Sequence, residues 1–356
     1  MSRCIFRKEG VKTIYCIFDP KKMRMLFVDN KNNYNPEINL AIEEYLVMNL
    51  PIEEDSYLLF YINDPSIIIG KHQNTIEEIN TEYVEEKNIK VVRRLSGGGA
   101  VYHDRGNLNF SFITKNDGNS FSNYQKYLHP VLEALKQMGV NAEIKGRNDI
   151  VVEGKKISGN AQFATNKRMF THGTLLFNSN MDEVVNSLKV RKDKIESKGI
   201  KSIRSRVANI SDFVTTDLTI EEFRDKLLLS IFNVDKTEDV NKYELTEKDW
   251  EQINKISHQR YSNWDWNYGR SPKFYMERSQ RFPIGSIDLK LNVEEGNITA
   301  IKIYGDFFGV GDLDDIENRL LGKKYTKASV ADSLKDIDLS TYFGKITLDE
   351  FLTLIY

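Results

Sequence analysis

Apolar runs of strand length alternate with amphipathic stretches of helix length along this chain, and their order predicts an α+β protein. Met25-Leu26-Phe27-Val28 reads as a first strand. Pro36–Asn49 reads as a helix in which Leu40, Ile42, Leu46 and Val47 are apolar and Glu43 and Glu44 are exposed or capping. Strands follow at 56–63 and Ser66–Ile69, then a helix at 75–87 with Asn74 or Thr75 as its N-cap. Residues 89–92 form a short buried strand, 109–113 a strand with Phe110 and Phe112 alternating with polar neighbours, and 124–138 an amphipathic helix. Residues 150–152 and 155–158 pair as a hairpin about Glu153-Gly154, and 172–177 is a strand with His172 at its start. Helices are expected at 221–232 and at 247–260, the latter bridging two domains. From Trp264 the pattern changes to strands 286–293 and 298–304 about Glu295-Gly296-Asn297, followed by helices at 313–321, 329–335 and 348–356.

This layout divides the chain into an unpatterned N-terminal extension (1–24), a mixed-sheet domain (25–247), a linker helix (248–263) and a small α/β C-terminal domain (264–356). At 356 residues there is room for both cores. A net charge of −2 argues against a nucleic-acid-binding surface, which needs a basic excess. The two cysteines, Cys4 and Cys16, fall in the extension, so neither a disulfide framework nor a cysteine metal site is expected. No apolar run reaches membrane-spanning length and no signal-peptide layout is present, so a cytoplasmic protein is expected.

Three stretches carry chemistry. The first is Arg93-Arg94-Leu95-Ser96-Gly97-Gly98-Gly99-Ala100-Val101-Tyr102-His103, where glycines after a strand let backbone N–H groups approach a ligand closely. Arg94 adds a planar donor fork suited to phosphate or carboxylate. No Lys-Ser/Thr pair follows the glycines, so this is not the phosphate loop of nucleotide hydrolases, and a strand rather than a helix follows, which excludes a dinucleotide fingerprint. The second is Gly146-Arg147-Asn148-Asp149, followed by Lys155-Lys156-Ile157-Ser158-Gly159-Asn160-Ala161, which sets Lys156 on the returning strand and Lys155 on its opposite face. The third is His172-Gly173-Thr174-Leu175.

In this order the three stretches resemble the signature of lipoate–protein ligases. The resemblance extends upstream through Asn39-Leu40-Ala41-Ile42-Glu43-Glu44 and downstream through the segment 198–207 and Trp264-Asp265-Trp266-Asn267-Tyr268-Gly269. It implies a biotin/lipoate-ligase-like catalytic domain and an ATP-dependent enzyme that converts lipoate to lipoyl-AMP and passes the lipoyl group to a lysine of lipoyl domains. The implied acceptors are 2-oxoacid dehydrogenase acyltransferase subunits and the glycine-cleavage H protein. It also implies that Lys156 is the catalytic residue, touching both acyl carbonyl and phosphate. Arg94, Gly99, Ala100, Val101, Tyr102, Asn148 and Asp149 would bind nucleotide with it. Ser96, Gly98, His103, Ser158, Ala161 and His172 would border the acyl pocket, and Lys198, Arg204 and Arg206 would cover the adenylate. Mg2+ is expected on ATP, with Asp149 its one candidate ligand and no dedicated metal site.

The chemistry fits these residue types. Carboxylate is a poor electrophile, and an adenylate gives it AMP as leaving group, so such a site needs charge neutralisation and positioning more than a nucleophile. Cysteine-dependent acyl transfer on the same fold is excluded because no cysteine follows Cys16. The Gly-Arg-Gly-Arg-x-Gly-Arg loop of biotin ligases is missing. A transferase using preformed lipoyl-AMP and a non-catalytic lipoate sensor remain as alternatives.

Overall fold

The computed structural model describes residues 24–52, 55–189, 206–268, 276–294 and 296–355. Lys198 and Arg204, the N-terminal extension through residue 23 and its two cysteines lie outside the described residues.

Strands β1 (Arg24–Asp29), β2 (Asp55–Ile62), β3 (Ser66–Ile69), β4 (Lys90–Arg93), β5 (Val101–His103), β6 (Asn107–Lys115), β7 (Glu143–Lys145), β8 (Asp149–Val152), β9 (Lys155–Ala164), β10 (Arg168–Leu176) and β11 (Lys242–Tyr243) build the larger domain. Eight of them form one mixed sheet in the order β11-β1-β2-β6-β10-β9-β8-β7, and β4-β3-β5 form a second. In the large sheet β1 is parallel to β2 and β11, and the other pairs are antiparallel. Helices Tyr124–Gln137 and Ile220–Phe232 cover one face through Leu128, Val131, Phe223 and Leu227. The other face packs on helix Pro36–Asn49 and Ile253 of helix Glu247–Ile256. The C-terminal domain has its own core and a sheet of β12 (Met276–Phe282), β13 (Gly285–Glu294) and β14 (Asn297–Gly305) in that order. No described helix is long and apolar enough to cross a membrane.

The Glu153-Gly154 hairpin forms as its sequence predicts, because both residues take positive φ (51° and 77°), the turn whose twist suits antiparallel strands. Three elements differ from the sequence reading. The 75–87 helix is two short ones, Thr75–Glu78 and Thr81–Glu86, interrupted where Ile79 bridges Leu188 and Asn80 caps the second. His172 is not at the start of its strand but at its middle, because β10 pairs with β6 from Arg168↔Lys115 onward. Glu43 and Glu44 are not exposed: they are 2% and 7% accessible and face the protein interior.

Candidate active site

Alternate side chains of adjacent strands share a sheet face, so register decides what meets. In the large sheet Tyr61 lies opposite Asn109, Thr174 opposite Asn109, and His172 opposite both Ser111 and Ala161. Tyr61, Asn109, Ala161, His172 and Thr174 line one cavity, bounded on its other side by Ile68 and by Arg94, Gly98, Gly99, Ala100, Val101 and His103 of the β4–β5 connection. Asn148, Lys156, Gly159 and Phe308 complete the wall. The space is about 130 Å3. The three sequence stretches therefore converge on one pocket between the two sheets.

Lys156 stands at its polar side. Its ammonium lies 2.7 Å from Asp149 Oδ1, with both side chains about two-fifths exposed (38% and 37%). A Cβ on Gly159 would sit 3.0 Å from Lys156 Nζ, so the glycine leaves room for the side chain to run back along β9. Beside it, Lys156 N–H donates to Arg206 O (2.6 Å) and Ala208 N–H donates to Lys156 O (3.0 Å). The segment on which Arg206 lies is thus tied to the lysine's own backbone, with Arg206 exposed. Asn148 is held by Asn160, which donates to its carbonyl from N (3.1 Å) and Nδ2 (2.8 Å).

The glycine loop is held from within. Arg94 Nη2 donates to Gly97 O (2.6 Å) and Gly99 O (2.9 Å), Nη1 to Ile68 O (3.0 Å), and Nε to Ser96 Oγ (3.0 Å). Burial lowers its pKa to about 10, opposed by the nearby Tyr61, Glu43 and Tyr124. Arg94 borders the cavity while most of its donors shape the loop. Gly98 takes a φ of 92°, which only glycine adopts without strain. The C-terminal domain closes on this loop: Phe307 O lies 3.4 Å from Gly98 N, and the Phe308 ring stacks under the Arg147 guanidinium at 4.4 Å. Tyr102 is buried away from the cavity among Ile67, Ile69 and Val91. Ser158 is also buried and donates to Asn160 Oδ1 (3.4 Å).

A buried chain that the sequence reading missed supports the loop from the helix side. His172 Nδ1 hydrogen-bonds the Glu43 carboxylate at Oε1 (2.9 Å), and His172 Nε2 hydrogen-bonds Ser96 Oγ (2.7 Å). The layout is that of a Ser-His-acid triad, yet Ser96 is 1% exposed and its oxygen already accepts from Arg94. It acts as a brace rather than a nucleophile. Beneath the loop, a methyl on Gly70 would overlap the carbonyl oxygen of Gly98. Gly70→Ala is accordingly expected to cost about 1–3 kcal/mol, the range for overpacking a buried position, and to raise the apparent KM for ATP. Urea denaturation and steady-state kinetics check both.

Residues 35–232 match the family model of the lipoyl protein ligase A/B catalytic domain, and residues 271–355 match that of the bacterial lipoate protein ligase C-terminus. The lipoate-protein ligase LplJ of Bacillus subtilis is 65% identical over 332 residues, covering 93% of this chain and all of that protein. Among solved structures, P. falciparum LipL1 in complex with lipoate superposes with a TM-score of 0.75 at 27% identity, over 93% of this chain and 99% of that one. A lipoate-protein ligase A bound with ATP superposes with a TM-score of 0.58 at 29% identity, over 70% and 99%. The chain belongs to the lipoate–protein ligase family and is an enzyme of that kind.

Proposed function

We propose that the enzyme uses ATP to activate lipoate and then lipoylates a lysine of an acceptor lipoyl domain, both steps occurring at the cavity capped by Lys156. In the first step a lipoate carboxylate oxygen attacks the α-phosphorus of ATP and pyrophosphate leaves, giving lipoyl-AMP. In the second the acceptor lysine amine attacks the acyl carbonyl, AMP leaves with the electron pair of the acyl–oxygen bond, and the amine's proton passes to solvent. The observation that carries the reading is the lysine ammonium at the junction between the glycine loop and the sheet-lined pocket. There it can hold two anions together and stabilise charge on phosphorus, and later polarise the carbonyl. Asn148 and the Gly99–Tyr102 backbone would hold nucleotide. Ala161, His103 and His172 would line the acyl pocket, with Ser96, Gly98 and Ser158 at its border.

No group of three or more metal-ligating side chains occurs among the described residues. Asp149, 2.7 Å from Lys156 Nζ, is the carboxylate that would face Mg2+ carried on the ATP phosphates. Bound there, Mg2+ would neutralise phosphate charge. The segment containing Lys198, Arg204 and Arg206 would cover the adenylate and keep water from it. The acceptors are 2-oxoacid dehydrogenase acyltransferase subunits and the glycine-cleavage H protein, and the reaction is cytoplasmic.

The test is pyrophosphate release from ATP, Mg2+ and lipoate without acceptor, followed by lipoylation when an acceptor domain is added. Lipoate-dependent release is the expected result. Absence of release together with transfer from supplied lipoyl-AMP would make the protein a transferase, and absence of both a sensor.

A further inference from the structure

We propose that His103, a residue of the cavity lining, reads the far end of the acyl substrate: its Nε2–H, buried and without a protein partner, is the donor that an acceptor atom on the ligand would satisfy, and so favours a sulfur-bearing dithiolane tail over a plain alkyl chain. The inference rests on the ligase reading and adds a specificity determinant to it.

The tautomer of His103 follows from main-chain carbonyls some distance away. Asn39 Nδ2 donates to Asn33 O (2.8 Å) and lies 3.3 Å from Ile62 O, so the amide cannot be reversed without setting its oxygen against two carbonyls. Its oxygen in turn accepts from Asn30 Nδ2 (2.8 Å). With Asn39 fixed, its Nδ2 donates to Asn63 Oδ1 (2.8 Å), which fixes the second amide. Asn63 can then present only its Nδ2 to His103 Nδ1, 3.0 Å away. A ring nitrogen that accepts carries no proton, so the proton is on Nε2.

Nε2 is buried and has no hydrogen-bond partner within the described protein. An unpaired buried donor costs free energy comparable to a lost hydrogen bond, so its persistence at a pocket wall points to a partner supplied by the ligand. Burial and the neighbouring Arg94 and His172 lower the pKa of His103 to about 3, which keeps the ring neutral with one donor only. Its location suits the tail rather than the carboxylate. In the β3–β5 pairing Val101, next to the glycine loop, lies opposite Ile68, whereas His103 lies opposite Ser66, roughly 7 Å further along the strand. The carboxylate end is accounted for by Lys156 and the glycine loop. Divalent sulfur, here that of a cyclic disulfide, is a weak acceptor, so the discrimination is modest in size.

The experiment compares kcat/KM for pyrophosphate release with lipoate and with octanoate in wild type, His103→Phe and Asn63→Asp. It is paired with 15N spectra of the five histidines after selective labelling. The wild-type spectrum is expected to show His103 protonated on Nε2, and lipoate but not octanoate to shift that resonance. His103→Phe is expected to lower the lipoate-to-octanoate ratio about two- to fivefold, the lower part of the range of one net hydrogen bond. Asn63→Asp supplies an acceptor to Nδ1, draws the proton away from Nε2, and is expected to lower the ratio comparably with the ring still in place. An unchanged ratio in both variants, or Nδ1 protonated in wild type, overturns the inference while leaving the ligase reading standing. Absence of release with either acid overturns the ligase reading, and the lipoate-induced shift of Nε2 then decides the inference alone.

Discussion

Lys156→Ala is expected to lower lipoate-dependent pyrophosphate release by about 10^2- to 10^3-fold, the usual loss when one charge-stabilising donor is removed from a reacting phosphoryl or acyl group. The fold should not change. Lys156 and Asp149 are each nearly two-fifths exposed, and an ion pair so placed contributes at most about 1 kcal/mol. Loss of rate with the urea midpoint within that margin therefore separates chemistry from stability. Release of pyrophosphate and transfer from supplied lipoyl-AMP are both expected to fall, because on the proposed mechanism one ammonium would serve phosphate in the first step and carbonyl in the second. Lys156→Arg is expected to recover only part of either rate, since the planar fork cannot occupy the point position that Gly159 leaves open. A Lys156→Ala enzyme within a few-fold of wild type in both assays would remove the lysine from the mechanism.

The local parts of this site were legible in the chain. Glu153-Gly154 has the positive-φ residues of a tight hairpin, so the strand carrying Lys156 could be placed from its turn alone. The glycine run after a strand likewise announced a close backbone approach. What could not be read was what meets the loop from far away in sequence. Phe307 and Phe308 come from the other domain, and nothing in their neighbourhood signals a contact with Gly98. Glu43 is different, because its misreading was avoidable. Leu40, Glu43, Glu44 and Val47 follow the i, i+3, i+4, i+7 spacing of a single helix face, and Leu40 and Val47 are core residues. Two carboxylates on a buried stripe require buried partners, here His172 for Glu43 and Tyr261 Oη, 2.8 Å away, for Glu44. Desolvation still raises the pKa of Glu44, against the pull of Arg260 and Tyr261. The His103 tautomer depends on three asparagines from two distant loops and a helix, an arrangement no spacing rule expresses.

Arg93→Met is expected to be strongly destabilising, costing about 3–5 kcal/mol. The bonds of the Arg93 guanidinium go to uncharged groups. Nη1 donates to Gly70 O (2.9 Å), Lys71 O (3.1 Å) and Gln73 O (2.6 Å), and Nη2 to Thr75 Oγ1 (2.7 Å) and Asn267 O (3.2 Å). Nε donates to Trp266 O (2.9 Å). Burial lowers its pKa to about 10, still far above neutrality, so the charge is kept and its cost is met by these oxygens. Methionine fills much of the volume but leaves several buried carbonyls without a donor, which is the expensive half of breaking a buried bond. The same substitution weakens the tie between the turn 70–75 and helix Trp264–Asn267, leaving the bond from Thr75 Oγ1–H to Asn267 O (2.6 Å), while the helix stays joined to β4 by Arg93 N–H to Asn267 Oδ1 (2.9 Å) and Trp266 Nε1–H to Arg93 O (2.8 Å). Since Gly70 packs against the Gly98 carbonyl, loosening that turn carries through to the glycine loop. A urea midpoint that falls at unchanged slope, with little rescue by Arg93→Lys, is the expected result. A loss below about 1 kcal/mol would mean that the carbonyls find other donors and that the clamp is not what holds the loop.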